Sequence, residues 1–283
     1  MPTLDPAIAH ALSLDASSSR VEPHGGSSFA STFKISTPDR LLFMKTGRGP
    51  AAQTMFAGEH ESLNAIHNVD ASLSPKALAH GELESSPGSF FLVTEFIHLG
   101  RGSAPSPDAR SLAAKLAKLH TTKVAVLDGA EGPFGFPVTT CCGNTPQPNE
   151  WTSTWSEFYA TRRLRFIVSQ CKADKGLSTA VERTAARIVP RLLGDLNIVP
   201  VVTHGDLWSG NRGTASFDRP GAKETTEHVV FDPACCYGHS EYDLGMMKMF
   251  GGFNQTFYQE YHQLVPKQEP VEEFDDRVEL YEL

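Results

Sequence analysis

The chain has 283 residues, 40% of them hydrophobic and 20% charged, with a formal net charge of −8. That length can bury more than one compact core, and the balance is that of a globular protein rather than a disordered one. The negative charge argues against a nucleic-acid partner or an anionic membrane surface, and no apolar run approaches the roughly 20 residues of a spanning helix.

Residues 1–20 open with a short helical pattern at Ile8 and Leu12 and run out into Ser17-Ser18-Ser19. They lack a basic n-region and a long apolar h-region, so no secretory signal is expected. A Gly25-Gly26-Ser27-Ser28 turn precedes two strand-like runs, Ser31–Ile35 and Leu41–Lys45, with Asp39 and Arg40 between them. Residues 51–67 read as a helix and Phe90–Ile97 as an apolar strand. The Gly/Ser/Pro-rich stretch Gly100–Pro107 suits a linker. Asp108 is expected to cap a helix bearing Leu112, Leu116 and Leu119. Residues 121–150 read mostly as loop, Trp151–Ser169 and 178–193 as helices, and Val199–Thr203 and Val229–Phe231 as short strands. A polar excursion, Thr214–Glu227, lies between those strands, and helical material closes the chain.

A strand-rich first part followed by a helix-rich second part predicts an α+β protein of two lobes, 1–99 and 100–283, with a cleft between them. The five cysteines, Cys141, Cys142, Cys171, Cys235 and Cys236, are odd in number and include two vicinal pairs. That makes a poor disulfide framework or zinc site, so reduced thiols in a cytoplasmic protein are expected, with the monomer as the expected state.

The chemistry concentrates in His204-Gly205-Asp206-Leu207-Trp208-Ser209-Gly210-Asn211, which follows an apolar strand. Asp206 and Asn211 stand five apart, the Asp-to-Asn spacing of the protein-kinase catalytic loop. A carboxylate there accepts the proton of an attacking hydroxyl, and a neutral amide oxygen just downstream holds Mg2+. Asp232 follows a second short apolar strand, where a metal-binding acid is needed to bridge the ATP phosphates. Either aspartate alone would equally suit a turn cap; together, in this order, they point to phosphoryl transfer.

The first part supplies partners. Lys45 ends an apolar strand, as a phosphate-pairing lysine does. On the helix after it, Glu59 shares a face with Phe56, Leu63 and Ile66 whereas Glu61 falls outside, so Glu59 needs a cation and Lys45 is the candidate. Gly25, Gly26 and Ser27 are placed over the ATP phosphates, and Glu95, Phe96 and Ile97 at an interlobe hinge facing adenine, by position.

HGDLWSGN (204–211), FDPACCYGHSEYDL (231–244), FGGF (250–253), CCG and NEW (141–143, 149–151) and MFAGEHESL (55–63) resemble the fructosamine/ketosamine-3-kinase family, from roughly residue 24 to the end. That family has the protein-kinase-like fold, with an antiparallel-sheet N-lobe and a mainly helical C-lobe, and stands beside aminoglycoside phosphotransferases and choline kinases. The resemblance implies transfer of the ATP γ-phosphoryl to the 3-hydroxyl of a ketosamine, free or protein-bound, in deglycation and protein repair. By position, Asp206 is then the base, Asn211 and Asp232 bind Mg2+, Lys45 and Glu59 hold phosphates, and His204 and Trp208 face the substrate. Trp208 packs on the sugar or braces the loop, and Asp243 is expected to brace the catalytic loop from a helix. Family sequences often carry a cysteine in the glycine-rich loop, where Ser27 and Ser28 stand here, and usually continue through one more helix beyond Leu283. The alternatives are a kinase of another hydroxylated amine, of aminoglycoside or choline type, and a non-catalytic kinase-like binding protein.

Overall fold

The computed structural model describes residues 3–25, 30–100, 104–125, 132–219, 221 and 225–283. Its N-terminal part is built on one antiparallel sheet. A short helix α1 (Pro6–Leu12) leads into β1 (Arg20–Pro23), β2 (Ser31–Ser36) and β3 (Leu41–Arg48). The 21-residue helix α2 (Gly49–Val69) follows, then β4 (Ala77–Glu82) and β5 (Ser89–Glu95), in the sheet order β1-β2-β3-β5-β4. Strand period 2 explains both faces. Leu42 and Met44 of β3 join Ile8, Ile35, Phe91 and Val93 under α1, while Leu92 packs on the opposite face against Phe56 and Leu63 of α2. Phe43 and Lys45 point away from the Leu42 face, which aims Lys45 toward α2.

The chain then crosses to the C-terminal part. β6 (Ile97–Leu99) is already paired there, lying against β10 (Arg212–Phe217), which pairs on its other edge with β11 (Thr226–Val230). The two ends of the stretch read as a polar excursion therefore belong to paired strands of one β-hairpin. The Thr and Ser positions of β10 alternate with small residues, giving no apolar run to mark it. Helix α3 (Leu112–Thr121) begins later than expected. Ser111, not Asp108, caps it, the hydroxyl accepting the Ala114 N–H. Within the presumed loop of 121–150 stands a small hairpin of β7 (Thr140–Cys142) and β8 (Thr145–Gln147).

The next helix starts at Trp155, after the Thr154 cap, as α4 (Trp155–Phe158), a π-helical stretch Tyr159–Arg165 and α5 (Phe166–Gln170). Then come α6 (Lys175–Arg183), a π turn Thr184–Ile188 and α7 (Val189–Leu193). β9 (Val201–Thr203) pairs with β12 (Cys236–Gly238), and α8 (Tyr242–Phe250), α9 (Gln255–Leu264) and α10 (Phe274–Tyr281) complete the chain. One large core unites these helices around Trp155, Phe158, Tyr159 and Tyr281. The Trp155 indole N–H donates to the Tyr281 hydroxyl at 2.8 Å, so even the polar edges of this aromatic cluster are matched. Among the described residues no helix is long and apolar enough to cross a membrane.

Candidate active site

The loop after β9 is held in place by buried polar contacts. Asp243, at the start of α8, accepts the backbone N–H of His204 at 2.7 Å and of Gly205 at 2.8 Å. Its Oδ2 also meets His120 Nε2 at 3.0 Å, and His120 Nδ1 lies 2.7 Å from the Tyr261 hydroxyl. Burial works against the Asp243 charge. Hydrogen bonding and attraction from His120, with the His204 N–H, outweigh it and hold the carboxyl below its ordinary value. Gly205 turns at φ +77°, and a Cβ there would come within 2.0 Å of the Ala234 carbonyl oxygen, so only glycine fits.

His204, expected at the substrate, is instead fully buried. Its Nε2–H donates to the Phe231 carbonyl at 3.2 Å and its Nδ1 accepts the Asp206 N–H at 3.3 Å, so the neutral ring ties the loop to the segment carrying Asp232. Burial pushes its pKa down, consistent with that neutral form. The contact that buries the ring comes from the Phe231 segment, 27 residues away, and local sequence does not show that.

Asp206 and Asn211 come together as their spacing predicts. Asn211 Nδ2 donates to the Asp206 carbonyl at 2.9 Å and to its Oδ2 at 3.1 Å. Burial pushes the Asp206 carboxyl up to about 6, against hydrogen bonds from Cys142 and Asn211 and with the help of the Asp232 and Asp243 charges. A base poised there is ionised at neutral pH yet basic enough to take a proton. The Phe231 N–H donates to the Asn211 carbonyl at 3.0 Å, joining the loop to Asp232 through backbone as well.

On the other wall, Lys45 Nζ lies 2.7 Å from Glu59 Oε1 and 2.6 Å from Asp232 Oδ1. Burial opposes the Lys45 charge, but Glu59 and Asp232 together outweigh it and hold the ammonium above its ordinary value. Glu59 is pushed up by its own burial, with Asp232 adding repulsion against the attraction of Lys45. Glu61 is not part of this group; it meets the neighbouring His60 at 3.1 Å.

A cavity of about 270 Å³ lies between these groups and the start of β6, lined among others by Gly25, Phe43, Lys45, Thr94, Phe96 and Ile97. Gly26 and Ser27 lie outside the described residues. Glu95 also borders the cavity, but its carboxylate is tied away, in a two-pronged pair with Arg219 at 2.8 and 2.7 Å and accepting the Lys76 N–H at 3.0 Å. The Glu95 carbonyl accepts the Thr94 hydroxyl and the Phe96 carbonyl the Asp218 N–H, so both oxygens of this segment have partners within the chain.

A second cavity, of about 490 Å³, opens on the Asp206 side, with Lys45, Glu59 and Asp232 at its boundary with the first. Cys142, Trp208, Met246 and Phe250 line it. The CCG and FGGF motifs had carried no role in the sequence reading; their glycines were the available signal, each permitting a close turn beside a cavity residue. The β7–β8 hairpin reaches the site because Gly58 of α2 has no side chain: a Cβ there would meet the Thr139 carbonyl oxygen at 2.7 Å. Burial, and then the Asp206 charge, pushes the Cys142 thiol up to about 12, so it stays protonated beside the Asp206 carboxylate.

Among the described residues no cluster of three or more His, Cys, Asp or Glu side chains has the arrangement of a metal site. The nearest donor set is Asn211 with Asp232. One carboxylate and one amide oxygen, completed by phosphate oxygens, match the way Mg2+ is held with a nucleotide. Asn211 Nδ2 is taken up by Asp206, which leaves its amide oxygen as the donor, and the Asp232 side chain is about half exposed to the cleft.

The fructosamine kinase family model matches residues 3–283. The mouse ketosamine-3-kinase is 34% identical over 279 residues, covering 92% of this chain and 85% of that one. The chloroplastic protein-ribulosamine 3-kinase of Arabidopsis thaliana is 35% identical over 244 residues, covering 85% and 68%. Among solved structures, a putative fructosamine-3-kinase from Haemophilus somnus superposes with a TM-score of 0.74 at 21% identity, covering 99% of this chain and 86% of that one. The aminoglycoside phosphotransferase APH(4)-Ia superposes with a TM-score of 0.58 at 14% identity, covering 97% and 85%. These two likenesses bear on the fold, which is that of the kinase-like phosphotransferases.

Proposed function

The chain belongs to the fructosamine kinase family, and from that premise we propose that it transfers the γ-phosphoryl group of ATP to the 3-hydroxyl of a ketosamine, such as a fructosamine or ribulosamine adduct. The observation that carries this reading is the meeting of two sets of groups across one cleft. Lys45, Glu59 and Asp232 are linked by contacts of 2.6–2.7 Å, and Asp206 is hydrogen-bonded to Asn211 at the mouth of the adjoining cavity.

Each residue has a task that its environment suits. Asp206 orients the acceptor hydroxyl and takes its proton as the new P–O bond forms. Lys45, kept charged by its two carboxylates, offers an ammonium to the nucleotide phosphates, and Glu59 fixes where that ammonium points. Asn211 and Asp232 are the residues that would hold Mg2+, which, when bound, offsets phosphate charge. Trp208 lies two residues after the base and lines the acceptor cavity, an apolar face beside a sugar.

Burial disfavours the aminoglycoside alternative. A polycationic acceptor wants more carboxylates than the single amine of a ketosamine does, and the two nearby acids are already engaged. Glu241 is buried against Arg277, with contacts of 2.7 and 3.2 Å, and Asp243 is taken up by the catalytic loop. ATP turnover measured with a fructosamine, a ribulosamine and an aminoglycoside, each with and without Mg2+, tests the reading. Mg2+-dependent turnover confined to the ketosamines supports it; turnover confined to the aminoglycoside refutes it.

A further inference from the structure

Helix α8 touches the catalytic loop at both ends. At its start, Asp243 accepts two backbone N–H groups of the loop, those of His204 and Gly205. At its end the helix stops after Phe250 in a Gly251-Gly252 turn with φ of +67° and +90°. A Cβ on Gly252 would come within 2.3 Å of the Ser209 Cβ, so glycine lets this turn lie directly on the residue after Trp208. Arg212, immediately beyond Asn211, donates from Nη2 to the Gly252 carbonyl, and its guanidinium sits 4.7 Å from the centre of the Phe253 ring.

These contacts place the Phe250 ring 5.7 Å from that of Trp208, tilted by 51°, on the wall of the cavity that holds Asp206. Phe250 is 56% exposed and Trp208 37%, so both retain apolar surface for an incoming molecule to cover. The only carboxylates lining this cavity, among the described residues, are Glu59, Asp206 and Asp232, all engaged in the constellation already described.

We propose that Phe250 is a specificity-determining residue for the acceptor, receiving the apolar arm carried on the amine of the ketosamine, with Arg212 as the positioning residue that holds its turn against the loop. This rests on the reading that the acceptor is a ketosamine. The hydroxylated end of such a molecule prefers polar surroundings, whereas an alkyl arm gains by covering an aromatic wall.

The test compares fructosyl adducts of methylamine and hexylamine at saturating Mg·ATP. The wild type should favour the hexyl adduct by roughly tenfold or more in kcat/KM. Phe250→Ala should erase that ratio, mainly by raising KM for the hexyl adduct, with KM for ATP unmoved. Arg212→Ala should show the same loss, and Arg212→Lys, which keeps the charge without the planar stacking group, an intermediate ratio. Because Phe250 is more than half exposed, Phe250→Ala and Phe250→Leu decide the matter should an Arg212 variant not fold. A ratio unchanged in Phe250→Ala, or an equal fall for both adducts, overturns the proposal while leaving the ketosamine reading standing. A wild type that phosphorylates neither adduct removes that reading and this proposal with it.

Discussion

Replacing Asp206 by Asn should cut turnover by orders of magnitude and at the same time make the protein more stable. The substitution keeps shape and an acceptor for the Asn211 amide, and removes only the charge that burial opposes. A carboxyl raised from its ordinary 3.8 to about 6 in the folded protein represents about 3 kcal/mol of unfavourable ionisation at neutral pH. A folded pKa above the unfolded one contributes stability that is fully present below the unfolded pKa and lost as pH rises through the folded pKa. Asn, which never ionises, escapes that loss. The variant's advantage is therefore about 3 kcal/mol at pH 7.5 and shrinks to about 1 kcal/mol at pH 4.5. For a chain of this size the larger figure corresponds to a rise in Tm of roughly 6 °C. Thermal melts of both proteins without nucleotide, at the two pH values, provide the assay. Turnover should fall by about 10²–10⁴-fold, with Mg·ATP binding nearly intact. Equal melting points at both pH values, or a variant less stable at pH 7.5, would show that burial does not strain this carboxylate; near-wild-type turnover would remove it from the mechanism.

Glu59→Ala should cost about 2–3 kcal/mol, below the usual loss for a broken buried pair because Lys45 keeps Asp232, while Glu61→Ala should change stability by under about 1 kcal/mol. Lys45→Met combined with Glu59→Ala should be less than additive, and strict additivity in urea melts would exclude the coupling. Asp232→Ala should weaken Mg·ATP binding and turnover together, and more than Asn211→Ala does; titration calorimetry that finds Mg·ATP bound as tightly as by the wild type would make Asp232 a structural turn. Wild-type turnover should fall as pH drops through about 6, since Asp206 must be ionised to accept a proton; a profile flat to pH 4.5 in folded protein contradicts that role. Mild oxidation should crosslink chains chiefly through Cys171, the one exposed cysteine among five; peptide mapping that finds the crosslink at buried Cys235 or Cys236 instead would show that those sites open in solution.

The readable parts of this protein are those whose geometry is local. A five-residue separation on one loop is enough to bring Asp206 and Asn211 together, because the intervening turn is short. Strand alternation set Lys45 opposite Leu42 and Met44, and helix periodicity set Glu59 on the stripe of Phe56 and Leu63, so their ion pair followed from two periods and one shortage of buried counter-charge. Asp243 as a brace was legible for a similar reason: an acid at the start of a helix close behind the loop.

Other features depend on distant chain segments. Ser111 displaced Asp108 as the cap of α3 by a few residues, within what local preference leaves open, since both side chains can accept from a helix N-terminus. Only Val229 and Val230, at the end of β11, mark the β10–β11 hairpin locally; β10 has no apolar run, and its pairing with β6 joins residues more than a hundred apart. His204 stands two residues before Asp206 in the motif expected to face the substrate, yet the turn at Gly205 and the approach of Phe231 bury it. Spacing and periodicity thus pointed to phosphoryl transfer and to the Asp206–Asn211 and Lys45–Glu59 contacts, because those signals are written within one strand, helix or loop. The cavity wall of Cys142, Trp208 and Phe250 was decided only when α2, the β7–β8 hairpin and α8 packed together, because close approach at Gly58 and Gly252 is a property of two surfaces meeting and belongs to neither segment alone.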